Sequence, residues 1–261
     1  LNAGDNVSVT ATFSENSPVT GTPQLTLAVG DDNQTATYAS SGNGGTTLVF
    51  KYTIQAGDND TNGISIRANA LALDNGTIMD LAENNAILTH SPVSDNNSYM
   101  VDTEAPRVDN FTMDDTEIKI GDNATVTLVF SEAVCADSSV CGGNVFSSAD
   151  ITSLNGSLNN TMSSNQANDN KTIWTGTFTP TPDTEYDDTN YLSLATTYTD
   201  LAGNNGPDNE TENYEVDTRA PTVSVAISGA ATEGRLTYGS GSYGFLNAGD
   251  NVSVTATFSE R

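Results

Sequence analysis

"GDNVSVTATFSE" (Gly4–Glu15) and "GDNATVTLVFSE" (Gly121–Glu132) are two versions of one phrase, and their reading decides the fold. In the first, Val7, Val9, Ala11 and Phe13 alternate with Ser8, Thr10 and Thr12. In the second, Ala124, Val126, Leu128 and Phe130 keep the same alternation. Successive side chains of a strand point to opposite faces, so a period of two predicts a strand with one buried face. "LVFKYTI" (Leu48–Ile54), "TIWTGTF" (Thr172–Phe178) and "TVSVAIS" (Thr222–Ser228) follow the same rule. "IRANALAL" (Ile66–Leu73), bracketed by Gly63 and a "DNGT" turn, is read as a further strand. Clusters such as "SSGNGG" and "TPTPD" supply the turn residues between strands. Many short strands, frequent turn signals and no long helical pattern predict an all-β chain of β-sandwiches.

The 261 residues are enough for two domains, each able to bury its own core. Formal charge is −26, from 34 acidic residues against 8 basic ones. Nucleic acid and anionic membranes need Lys or Arg to displace their counterions, so this surface repels both. The same carboxylates attract hard cations, calcium above all, although an acidic coat also serves solubility alone. No run of eighteen apolar residues is present, which excludes a membrane-spanning helix. No signal-peptide pattern opens the chain, as expected of a segment from within something longer. Cys135 and Cys141 have five residues between them and no second ligand pair for zinc. A small disulfide-closed loop, and hence an oxidising extracellular setting, is the expectation; two free thiols are the alternative.

Repetition orders the rest. "DLAENN" (Asp80–Asn85) answers "DLAGNN" (Asp200–Asn205), and "YMVDTEAP" (Tyr99–Pro106) answers "YEVDTRAP" (Tyr214–Pro221). Together with the opening pair, the offsets are 117, 120 and 115 residues, in one order. Two diverged copies of one module in tandem are expected. In both linkers the residue before Pro is pushed towards extended geometry, giving a short, stiff connection. In addition, "LNAGDNVSVTATFSE" (Leu1–Glu15) returns unchanged as Leu246–Glu260. The chain is therefore read as a repeat in a permuted frame. Residues 1–102 are a module lacking its first strand, 103–216 a complete module, and 217–261 the first strands of the next repeat. That last segment would serve a following or neighbouring module as an edge strand.

The "VDTxAP" linkers, "VTATFSE" strands and "DLAGN" loops resemble the bacterial immunoglobulin-like repeats of giant surface adhesins, the biofilm-associated and RTX-type proteins. The resemblance implies tandem immunoglobulin-like β-sandwiches that act as extender modules, stiffened by calcium at their junctions and displayed outside the cell. It implies further copies of the same repeat as partners, in cis or in trans, and neither nucleic-acid binding nor membrane insertion.

A junction site needs oxygens from two adjoining modules. Asp102 and Asp217 lie in the linkers, Glu15 and Glu132 close the "FSE" strands, and Asp80 and Asp200 open the "DLA" loops with Asn84 and Asn204 behind them. These eight are the expected calcium ligands; the alternative is that Asp and Asn merely shape the turns. "AGDNDTNG" (Ala56–Gly63) mimics part of an EF-hand loop without its closing Glu, and is read as a hairpin turn. Nothing predicts catalysis: His90, the single histidine, has no nucleophile pattern around it, and no enzyme is expected. Trp174 is read as a core residue. Two other readings stand beside the extender: a filament, sheath or surface-layer subunit joined by strand exchange, and a glycan-binding accessory module needing an exposed aromatic platform at Trp174 or Tyr186–Tyr191.

Overall fold

The computed structural model describes all residues except 40–44, 142–143, 165–171, 229–235, 239–240, 244–248, 250 and 260–261. The turn expected at "SSGNGG" and parts of the segment 217–261, Glu260 included, lie outside the described residues.

The alternating stretches form strands with the expected buried face. β1 (Asn6–Thr12) is followed by β2 (Val19–Thr20), β3 (Gln24–Val29), β4 (Asp32–Tyr38), β5 (Thr47–Thr53), β6 (Asn59–Asp60), β7 (Leu71–Ala72), β8 (Thr77–Ile78) and β9 (Val101–Asp102). The main sheet runs β1-β5-β4-β3-β7, with the pairs β2-β8 and β6-β9 beside it. Val7, Leu27, Leu48, Phe50, Ile54, Ile78 and Val101 share one hydrophobic core. Within β5 the odd and even faces separate: Leu48, Phe50 and Tyr52 are buried, whereas Lys51 and Thr53 are exposed.

The second unit comprises β10 (Val108–Met113), β11 (Glu117–Lys119), β12 (Ala124–Phe130), β13 (Ile151–Ser153), β14 (Gly156–Ser164), β15 (Ile173–Pro180), β16 (Asp187–Asn190), β17 (Leu192–Leu194), β18 (Asn209–Glu210) and β19 (Tyr214–Asp217). Its sheets run β10-β12-β15-β14, β11-β19-β16 and β13-β17-β18. A separate core joins Phe111, Leu128, Phe130, Phe146, Trp174, Phe178, Tyr198 and Tyr214. Trp174 is 4% exposed and meets Phe146 edge to face, with centroids 4.8 Å apart. Each unit is an immunoglobulin-like β-sandwich, and the fold is all-β, as the periodicity predicts.

The corresponding strands β1 and β12 differ in one respect. β12 has β10 on one side and β15 on the other; β1 has β5 on one side and no strand on the other among the described residues. Beyond the second sandwich, β20 (Val223–Ser228) pairs antiparallel with β23 (Ser253–Phe258), and β21 (Leu236–Tyr238) with β22 (Gly241–Tyr243). β20 and β23 form a two-stranded ribbon in which Val225, Ile227, Val254 and Phe258 are all exposed.

Two local readings change. "AGDNDTNG" is no hairpin, because β6 pairs with β9 and not with β5. Its two aspartates turn inward instead: Asp58 accepts from Tyr52 Oη (2.5 Å), Gln34 Nε2 (2.9 Å) and Gln55 N (2.8 Å), and Asp60 accepts from Gly30 N (2.8 Å) and Gly63 N (2.7 Å). "IRANALAL" is not one strand. Asn69 takes a left-handed φ of 60°, breaking it into a bridge of Ile66 with Val93 and the short β7. No helix among the described residues is long and apolar enough to cross a membrane.

Candidate cation site at the module junction

The "DLAGNN" loop is shaped by one carboxylate. Asp200 Oδ1 accepts from the backbone amides of Ala202 (2.9 Å), Gly203 (2.7 Å) and Asn204 (2.9 Å). Its Oδ2 accepts from Asn204 Nδ2 at 2.8 Å. Gly203 sits at φ 99°, a region side chains rarely adopt, which closes the turn tightly enough for all three amides to converge. Asp80 builds the same loop in the first sandwich, accepting from Ala82 N (2.8 Å), Asn84 N (2.8 Å) and Asn84 Nδ2 (2.7 Å). These bonds favour the ionised form and hold the Asp80 carboxyl below its ordinary range, the Asn84 amide contributing most.

The second loop reaches the linker. Asn204 Nδ2 donates to the carbonyls of Asp102 (3.0 Å) and Glu104 (3.1 Å). Asp102, Glu132 and Asp200 each bring a carboxylate oxygen within 4.8 Å of the others. Asp200 is buried, while Asp102 and Glu132 are half-buried. Burial first, then the charges of Asp102, Asp200 and Glu104, push the Glu132 carboxyl up to about 7. Three carboxylates drawn together, with no ion pair to a basic side chain among the described residues, make a centre of negative potential. The donors are all hard oxygens, the set that calcium and magnesium accept and that zinc or copper does not select.

Of the eight residues expected to bind, the structure gathers Asp102, Glu132, Asp200 and Asn204 at the junction. Glu15, Asp80 and Asn84 lie elsewhere, together along a groove of about 530 Å³ beside β1. Asp217 ends β19 at the far end of the second sandwich, where its Oδ1 accepts from Arg219 N at 3.2 Å. Cys135 and Cys141 are disulfide-bonded, Cα atoms 5.9 Å apart. Cys135 is buried and donates its amide to Thr199 O at 2.8 Å, so the bridge is anchored one residue from Asp200.

Sequence reasoning missed the linker threonine. Thr103 Oγ1 donates to Asp58 O (3.0 Å) and accepts from Gly57 N (2.9 Å). Thr218 Oγ1 likewise donates to Thr181 O (2.6 Å) and accepts from Thr184 N (2.9 Å). Each "VDT" is thereby pinned to the sandwich it leaves, which removes rotational freedom from the linker. Its recurrence in both linkers was the available signal. His90 Nε2 accepts from Ala70 N at 2.9 Å.

Residues 102–216 match the family model of the bacterial Ig-like domain. No curated protein matches the chain. Among solved structures, a Corynebacterium diphtheriae protein described as membrane anchored is similar at 12% identity, with a TM-score of 0.26. The comparison covers 99% of this chain, which spans 61% of the length of that structure.

Proposed function

We propose that this chain is a structural extender repeat of a secreted bacterial surface protein of the adhesin or biofilm type. Its sandwiches bear load in series, and calcium at the junction stiffens the string. The carrying observation is the convergence of Asp102, Glu132 and Asp200 within 4.8 Å of one another, from a linker, a strand end and a loop. Calcium there supplies the positive charge that the three carboxylates lack. The protein's own part is to hold the donors in place. Asp200 is fixed by its loop amides, the linker by the Asn204 amide and by Thr103, and Glu132 by the end of β12. The disulfide fits an oxidising, extracellular location.

The glycan-binding reading loses its main platform, because Trp174 is buried in the second core. The filament reading gains from the pairing of β20 with β23, a strand that repeats the sequence of β1.

Calorimetric titration of the intact chain with calcium tests the junction. Saturable binding is expected, weakened by about tenfold or more in Glu132→Gln, which removes one charged donor. Absence of saturable heat, or equal affinity in the variant, would remove calcium from the account.

A further inference from the structure

The groove beside β1 and the ribbon β20–β23 are complementary halves of one structure. β23 carries the same sequence as β1, since Leu246–Glu260 repeats Leu1–Glu15. β20 is already paired with that sequence: Val223 lies opposite Phe258, Val225 opposite Ala256 and Ile227 opposite Val254. Ser259 N donates to Thr222 O at 2.9 Å, and Thr222 N donates to Ser259 Oγ at 2.9 Å. The second sandwich shows the same seam within its fold. There Val108 lies opposite Phe130, Ser131 N donates to Arg107 O at 2.9 Å, and Arg107 N donates to Ser131 Oγ at 2.9 Å. Three "FSE" phrases thus occur in the molecule, and two of them are paired with a β10-type strand. The third, at Phe13–Glu15, is not, among the described residues.

We infer that the open edge of β1 receives the strand Thr222–Ser228 of a second copy of this repeat, with Val223 opposite Phe13, Val225 opposite Ala11 and Ile227 opposite Val9. Backbone polarity agrees. Phe13 N donates inward to Thr46 O at 2.7 Å, so the alternation of an antiparallel ladder turns the amides of Thr10, Thr12 and Ser14 outward. Ser14 corresponds to Ser259, whose amide meets Thr222. Apolar faces agree too. Val9, Ala11 and Phe13 are half-buried and line the groove with Leu25, Ile66 and Leu71. Val225 and Ile227 are 65% and 76% exposed on the ribbon.

The driving force for the exchange is burial, set against the entropy of association. A strand that leaves β23 for β1 meets equivalent hydrogen-bond partners, because the two sequences are identical, and the groups it leaves on β23 return to water. It gains burial, because β1 lies on a core whereas every residue of β23 is exposed.

Charge completes the argument. Asp217 precedes Val223 by the spacing that separates Asp102 from Val108. Seating the strand therefore carries Asp217 of the second copy towards Glu15 and Asp80, the counterparts of Glu132 and Asp200. The first sandwich then gains an acidic triad matching Asp102, Glu132 and Asp200 of the second. The contact is head-to-tail, so it joins copies of the repeat in series instead of pairing them as an isologous dimer. This rests on the extender reading and specifies its partner.

Cysteine cross-linking of the full chain tests the register. Ala11→Cys and Val225→Cys chains are mixed and oxidised; the facing pair is of the closely spaced, non-hydrogen-bonded kind that a disulfide spans. A covalent heterodimer is expected, and a ladder of multimers from the doubly substituted chain. Thr10→Cys with Val225→Cys, on opposite faces, should not link. No heterodimer, equal linking by the control pair, or an intrachain disulfide in the doubly substituted chain would overturn the inference. Ultracentrifugation gives a second readout. Concentration-dependent association of the unsubstituted chain should fall about tenfold in Ile227→Lys. That substitution lies on the exposed ribbon and leaves both cores intact; unchanged association would contradict the exchange. Calcium binding at Asp102, Glu132 and Asp200 is read separately by calorimetry, so either idea can fail alone.

Discussion

Glu132 carries two burdens together: partial burial and the charges of Asp102 and Asp200. Both act against its ionised form, raising it from the ordinary 4.5 to about 7 in the folded chain. The folded state therefore holds this proton more tightly than the unfolded state does. It follows that stability in chelator should rise as pH is lowered from 8 through 7 and level off near the ordinary carboxylate range. Thermal unfolding in chelator checks this. Glu132→Gln should flatten the dependence and stabilise the chelated chain at pH 8 by on the order of 1 kcal/mol, given solvent screening of half-exposed neighbours. A stability that falls between pH 8 and pH 6 would contradict the assignment. At this scale the sequence was legible where a residue recurred in both modules: Asp80 and Asp200 shape matching loops, each with its Asn behind it. It was opaque where the partner came from far along the chain. Nothing local in "DLAGNN" shows that Asn204 reaches back about a hundred positions to the Asp102 and Glu104 carbonyls. Burial of Asp58 and Asp60 was hidden likewise, because their partners Tyr52, Gln34 and Gly30 come from other elements.

Strands were legible because alternation is local. Phe50, Leu128 and Phe178 point inward as a period of two requires, and each is buried. Trp174 illustrates what the pattern decides and what it leaves open. Alternation separates it from Ile173 and Thr175, but only packing against Phe146 fixes which side is core. Truncation by Trp174→Ala should cost about 3–5 kcal/mol, by the loss of a large buried ring and the cavity left behind. Calorimetric unfolding should show the loss in the second sandwich while the first melts unchanged, since their cores share no residue. Loss of both transitions together would mean that the sandwiches fold as one unit. Short elements resisted prediction. β6, β7 and β8 are two residues each, so no periodicity develops, and "IRANALAL" is broken by a left-handed Asn69 that a polar residue within an apolar run does not announce.

As a whole, the molecule places two β-sandwiches in series, and on the proposed extender reading their joints decide its mechanics. Short Pro-containing linkers, a threonine pinned to the preceding loop and an asparagine holding the linker carbonyls limit the joint; under the proposed function, the acidic triad opposes closure until a cation is supplied. The recurrence of one fifteen-residue phrase was plain in the sequence, but the pairing of its second copy with β20, on which the proposed exchange rests, was not. The most direct test of the stiffened string is small-angle scattering of the Ile227→Lys chain, which should remain monomeric, in excess calcium and in chelator. A fixed, larger maximum dimension in calcium, with a shorter and broader distance distribution in chelator, is the predicted result. Superimposable curves in the two solutions would contradict the account.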